Sequence, residues 1–136
     1  MRFQRILSNK YGRFGEELVS EVLSKRNHTK VASRYKTPYG EIDIITICND
    51  SLIFSEVKAR SVYKEEFSGQ EFIVMSNVSF DAFEKIFSRK QMQRMIDAAS
   101  FFNAQNQQFS SYNQRFDLYL VKGKRIIEHF ENISMQ

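Results

Sequence analysis

Tyr39-Gly40-Glu41-Ile42-Asp43-Ile44-Ile45-Thr46-Ile47-Cys48-Asn49-Asp50-Ser51-Leu52-Ile53-Phe54-Ser55-Glu56-Val57-Lys58-Ala59-Arg60-Ser61 is the stretch whose reading decides the fold. Two apolar, β-branched runs flank Asn49-Asp50, and Asn and Asp tolerate the positive φ of a two-residue hairpin turn. With that loop Cys48 faces Ser51. Counting back along antiparallel strands sets Asp43 opposite Glu56 and Glu41 opposite Lys58. Side chains alternate with period two. Glu41, Asp43, Ile45 and Ile47 then share one face with Leu52, Phe54, Glu56 and Lys58.

Directly opposed side chains have Cβ atoms about 4.5–5.5 Å apart, and like charges there destabilise the pair. Two carboxylates on an otherwise apolar hairpin therefore need a reason. A divalent cation is one, because Mg²⁺ is commonly held by one or two carboxylates and keeps several waters. Lys58 emerges on the same face, two residues after Glu56. Two carboxylates, a lysine and room for water are the parts of a metal-assisted phosphodiester hydrolysis site. The same spacing also admits a plain cross-strand Glu41–Lys58 ion pair, with Asp43 and Glu56 pointing to water.

Outward from the hairpin, residues 1–10 read as a short basic lead. Tyr11 to about Asn27 has helical spacing, with Tyr11, Phe14, Leu18, Val22 and Val19, Leu23 recurring at three and four. Gly12 and Gly15 disfavour a helix by about 1 kcal/mol each relative to alanine, so a close approach to a backbone, a sheet or DNA is expected there. Glu16 falls in the first turns of that helix, where the dipole favours an anion. Lys30 to Lys36 reads as a weakly patterned first strand, closed by Thr37-Pro38. Lys64 to Gln70 is polar and turn-like, and Phe72-Ile73-Val74-Met75 reads as a short strand or an ordered loop. Asp81 to Phe87 reads as a helical turn.

Ser88-Arg89-Lys90-Gln91 has the form of a capping box. The helix it opens runs to about Asn103 with Met92, Met95, Ile96, Ala99 and Phe102 as its apolar stripe. Arg89 and Lys90 in its first turn oppose the dipole, which an anion bound there would relieve; a solvated charged face is the alternative. A Gln/Asn/Ser-rich loop follows. Arg115 to Val121 reads as a strand buried on both faces, Gly123-Lys124 as a turn, Arg125 to Phe130 as a last strand, and Glu131–Gln136 as a loose tail.

With 136 residues and 42% hydrophobic content, one domain spanning 1–136 is expected. The single cysteine, Cys48, excludes an internal disulfide and a zinc cluster. His28 and His129 stand in no metal-ligand spacing. No apolar run approaches the ~18 residues that span a bilayer, and Met1 to Leu7 lacks a signal-peptide core, so a cytoplasmic location with no membrane partner is expected. The net charge of +4 suits a polyanionic partner.

Gly40-Glu41-Ile42-Asp43-Ile44-Ile45, followed by Phe54-Ser55-Glu56-Val57-Lys58-Ala59-Arg60, resembles the YraN-type family of small uncharacterised bacterial proteins. That family is similar to Holliday-junction resolvases, within the restriction-endonuclease-like superfamily whose signature is Asp…(Asp/Glu)-x-Lys. Its Gly-x-x-Gly-Glu opening matches Gly12, Gly15 and Glu16, and its late Arg-Phe-Asp matches Arg115, Phe116 and Asp117. Where the family has Asn-aromatic-Arg, this chain has Arg34, Tyr35 and Lys36, which keeps the charge but not the amide. Its segment after Ser61 is longer than the family's connection.

The resemblance implies an α/β fold with a restriction-endonuclease-like αβββαβ core, a mixed central sheet flanked by helices, plus one added strand. It implies a Mg²⁺- or Mn²⁺-dependent endonuclease acting on DNA, including branched DNA, and a homodimer as resolvases form. Asp43 and Glu56 would hold the metal, Lys58 would orient the attacking water and stabilise phosphate charge, and Glu16 would be the helix carboxylate supporting the site. Arg34, Lys36, Arg60, Lys90 and Arg94 would contact the nucleic-acid backbone. Two other readings stand beside this one: a nucleic-acid-binding module that cleaves nothing, and an adaptor whose basic face binds an acidic protein.

Overall fold

The hairpin forms in the expected register. A computed structural model describes residues 2–60 and 85–134, and in it strands β2 (Gly40–Cys48) and β3 (Ser51–Arg60) pair antiparallel from Cys48↔Ser51 to Ile44↔Ser55. Asn49 takes φ 55° in the turn. The ladder ends at Ile44↔Ser55, one pair short of Asp43 and Glu56. There the Val57 N–H is taken by Asp43 Oδ2 at 2.9 Å instead of a strand carbonyl. The Glu41–Lys58 opposition expected from the sequence is therefore not a ladder pair, because β2 and β3 have already parted.

Around this hairpin the order is α1 (Arg2–Lys25), β1 (Thr29–Thr37), β2, β3, α2 (Arg89–Gln105), a 3₁₀ turn at Gln107–Phe109, β4 (Asn113–Lys122) and β5 (Arg125–Phe130). The five strands form one sheet in the order β1-β2-β3-β4-β5. Only β3 and β4 are parallel, and α2 belongs to the crossover between them, as a parallel pair requires. This is a mixed α/β sheet with a helix on each face, in the αβββαβ order with one added strand.

The helices bury the two faces separately. On one, Val19 and Leu23 of α1 pack with Ile44, Val57, Tyr119 and Val121. On the other, Met92, Met95, Ala98, Ala99 and Phe102 of α2 pack with Ile45, Leu52, Phe54, Leu118 and Leu120. Each fully buried large aliphatic or aromatic side chain contributes about 1.5–3 kcal/mol. The α2 start has the expected capping box, with Gln91 N donating to Ser88 Oγ at 3.1 Å and Ser88 N donating to Gln91 Oε1 at 2.8 Å.

Three expectations change. Helix α1 begins at Arg2, not Tyr11. No glycine or proline interrupts residues 2–10, and the basic lead is helical backbone. Gly15 is thus mid-helix, where a Cβ would lie 3.1 Å from Ala59 Cβ and 3.4 Å from Val57 Cγ1; its partner is the sheet. Glu16 is four turns from the helix start, which removes the dipole reading. The tail at Glu131 to Ile133 is not loose. Asn132 N donates to Asp117 Oδ1 at 3.0 Å, Ile133 N donates to Phe116 O at 2.7 Å, and Ile133 packs on the α2-side core. The expectations for Lys64–Gln70, Phe72–Met75 and most of Asp81–Phe87 lie outside the described residues.

Candidate functional site

The point where β2 and β3 part opens a cleft of about 190 Å³ against α2. Asp43 and Glu56 line it with Lys58, Glu41 and Ser55, Gln91 and Arg94 come from α2, and Tyr39 and Gly40 stand at the β1–β2 turn. The cleft exists because the ladder stops. The strand separation that frees Val57 N–H for Asp43 also leaves the carboxylates side by side without a laddered backbone between them. Asp43 is buried, with 9% of its surface exposed.

Burial and the neighbouring Glu56 carboxylate, to which it is hydrogen-bonded, push the Asp43 carboxyl up to about 9; the Val57 N–H pulls it down and Glu41 adds to the rise. A group of like charges is thus held in a poorly solvated place. No ion pair joins Lys58 to either carboxylate among the described residues. Its Nζ lies 6.0 Å from the centre of the Phe87 ring, beside the start of α2. Ser55 Oγ is buried and has no hydrogen-bond partner among the described residues.

The donor set suits a hard divalent cation. Two carboxylates with open cleft beside them match Mg²⁺, which keeps much of its water. Among the described residues no three His, Cys, Asp or Glu side chains gather to hold a metal by themselves.

The residues singled out in the sequence divide between two places. Asp43, Glu56, Lys58 and Arg94 come together. Glu16 and Arg34 do not line that cleft. They meet in a second one of about 430 Å³ between α1 and β1, with Arg13 and Lys30. Arg34 Nε donates to Glu16 Oε1 at 2.8 Å. This follows from the backbone: Arg34 has φ 52°, in the left-handed region that a non-glycine residue rarely adopts. It lies between the Ser33↔Ile44 and Tyr35↔Ile42 pairs, across from Asp43. Glu16 still feels the carboxylate cleft, because burial first and the Asp43 charge second raise its carboxyl above the ordinary value, against the pull of Arg34. Lys36 is exposed on β1, Lys90 is exposed in the first turn of α2 outside the cleft wall, and Arg60 is the last residue of β3.

Sequence reasoning missed two features. Tyr39 stands at the mouth of the carboxylate cleft; an aromatic next to Pro38 in a turn was the only available signal. The second is a network around Asp117, whose side chain is fully buried. It accepts from Arg115 Nε at 3.0 Å and Nη2 at 2.9 Å, from His129 Nε2 at 2.8 Å, and from Asn132 N. Burial alone would raise its carboxyl, but these donors outweigh it and hold Asp117 below the ordinary value. The His129 ring stacks on Tyr119 with centroids 4.1 Å apart. This network ties β4, β5 and the tail together. It explains the Arg-Phe-Asp tripeptide as structure, with Asp117 paired to Ser55 in the parallel β3–β4 register and outside the lining of the cleft.

Among the described residues no helix is long and apolar enough to cross a membrane. Comparison with known proteins points one way. The UPF0102 protein of Ehrlichia ruminantium (strain Gardel) is 29% identical over 130 residues, covering 96% of this chain and 87% of its own. That of Rhodopseudomonas palustris (strain BisB5) is 30% identical over 126 residues, covering 93% and 83%. That of Ehrlichia chaffeensis (strain Arkansas) is 35% identical over 130 residues, covering 93% and 91%. The model of the uncharacterised protein family UPF0102 matches residues 15–121, a range that holds Glu16, the carboxylate pair, Lys58 and Arg94. The chain belongs to the UPF0102 family, the YraN-type family that its hairpin motif resembles.

Proposed function

We propose that this protein is a divalent-metal-dependent nuclease acting on DNA. The observation that carries the reading is the parting of β2 and β3, which sets Asp43 and Glu56 side by side in one cleft with Lys58 and Arg94. A protein that only bound phosphates would gain nothing from burying carboxylates beside cationic side chains, since like charge repels the ligand.

In this reading Asp43 and Glu56 hold Mg²⁺ or Mn²⁺, which when bound supplies Lewis-acid polarisation of the phosphate and a more acidic water. The Val57 N–H fixes one Asp43 oxygen, so the carboxylate is oriented before any ligand arrives. Lys58 places a positive charge where the phosphorane develops negative charge, an effect largest in a dry cleft. Arg94, from the helix wall, engages a phosphate oxygen and sets the strand's path. Glu16 acts one step back: paired with Arg34, it positions the β1–β2 backbone that carries Asp43.

The test is incubation of the purified chain with linear, flapped and four-way DNA in Mg²⁺, Mn²⁺ or EDTA. Cleavage of at least one substrate with either metal, abolished by EDTA, is expected. Binding without cleavage under every condition would instead identify a nucleic-acid-binding module on this fold.

A further inference from the structure

Tyr39 is one of two large apolar side chains left exposed among the described residues, at 51%. Single exposed aromatics are ordinary. This one differs in how it is held and where. The turn that carries it is fixed by hydrogen bonds: Thr37 Oγ1 donates to Gly40 O at 2.7 Å, and Tyr39 N donates to Thr37 Oγ1 at 3.0 Å. Pro38 locks one φ. Gly40 takes φ 137°, and a Cβ there would meet nothing within 4 Å, so backbone conformation and not space demands glycine. The ring is presented from this pinned turn on the lip of the carboxylate cleft. It also walls a neighbouring hollow with Asp97, Ser100 and Phe101 of α2.

A rigid aromatic beside a phosphate site is how proteins grip bases without reading them, because every base has a π-face. In a continuous duplex both faces of each base are already covered by neighbours. A protein ring finds a face only on a base that is unpaired, terminal or turned out. We propose that Tyr39 is a stacking platform for an unpaired base of the strand whose phosphate enters the cleft, so that the site takes DNA that is single-stranded or locally unpaired at that point. This rests on the nuclease reading and adds the substrate class. Tyr39 is here a positioning residue, acting on the base and not on the reacting phosphate.

The experiment measures fluorescence anisotropy of a labelled single strand and of its matched duplex in EDTA. It uses the full-length wild type, Tyr39→Phe and Tyr39→Ala, with melting curves confirming that all are folded. Tyr39→Ala should weaken single-strand binding by about tenfold. Tyr39→Phe should keep wild-type affinity, since the ring and not the hydroxyl does the stacking, and duplex affinity should be the same in all three. Removing the contacted base, by scanning an abasic site along the strand, should weaken the wild type at one position and leave Tyr39→Ala unaffected, the non-additivity expected of two partners in contact. Wild-type binding that Tyr39→Ala leaves intact, or loses equally for single strand and duplex, overturns the platform while the nuclease reading stands. A wild type that binds neither DNA overturns both.

Discussion

Asp43 and Glu56 lie where the hydrogen-bond ladder gives out, and their neighbours fix what each can do. Asp43 is held by a backbone N–H and pressed against a second carboxylate, whereas Lys58 is cationic and bonded to neither. Lys58→Met keeps the apolar stem and deletes the charge. Its expected effect is a fall in cleavage of about 10²–10³-fold, read in single-turnover assays, with the stabilisation by Mn²⁺ retained because Asp43 and Glu56, the proposed metal ligands, remain. Asp117 is the opposite kind of buried carboxylate, with four hydrogen bonds and no metal to wait for. Its carboxyl is held below the ordinary value of 3.8. The stability it supplies is therefore present above that unfolded-state value and is lost as pH falls through its lower folded-state value. Asp117→Asn should destabilise the protein by about 3–5 kcal/mol at neutral pH, because Arg115 loses its buried counter-charge and one of the two acceptor oxygens becomes an NH₂ donor. Urea unfolding at neutral pH and at successively lower pH should show the penalty shrink as the wild-type carboxylate takes up its proton.

Among the elements, the β2–β3 hairpin was legible because a two-residue turn leaves only one register that buries Ile45, Leu52 and Phe54 together. Helix α2 was equally plain, since Ser88 and Gln91 mark its start and its apolar stripe follows without interruption. The true length of α1 was hidden because residues 1–10 read as a basic lead, while the two glycines inside the helix weakened its pattern. Gly15 is explained by Val57 and Ala59, more than forty residues away in sequence, whose atoms leave little room for a side chain. The end of the β2–β3 ladder and the left-handed Arg34 were illegible for a related reason: alternation assumes a continuous strand, and both are departures from one. Consequently the Arg34–Glu16 pair could not be read from the sequence, which offers Arg34 only as a cation for a nucleic-acid backbone. The Gly15 contact gives an element-scale prediction. Gly15→Val should push α1 off β3 and lower stability by about 1–3 kcal/mol, the usual range for overpacking, measured as a shift in the urea midpoint. Glu56 and Lys58 lie on either side of Val57, so the same variant should cut cleavage more than its stability loss explains.

At the scale of the molecule, two helices close the faces of one sheet, and the carboxylate cleft lies at the end where β2 and β3 separate. Across β3 from the cleft, on the β4–β5 side of the sheet, Asp117, β5 and the tail at Asn132 and Ile133 tie the strands together, so the sheet is braced on one side of β3 and open on the other. The tail was unreadable beforehand because its anchors are backbone N–H groups, which carry no residue signature. Opening the cleft leaves two carboxyl groups that the metal-free fold holds together by keeping a proton on Asp43, and a cation that removes this cost must raise global stability. Thermal melting of wild type and Glu56→Gln, each with and without saturating Mn²⁺, measures this directly. Mn²⁺ should stabilise wild type by about 2.7 kcal/mol at a hundredfold excess over Kd. It should stabilise Glu56→Gln far less, and the metal-free variant should melt at or above the metal-free wild type. A melting temperature that Mn²⁺ moves in neither protein, or moves equally in both, would contradict the metal centre.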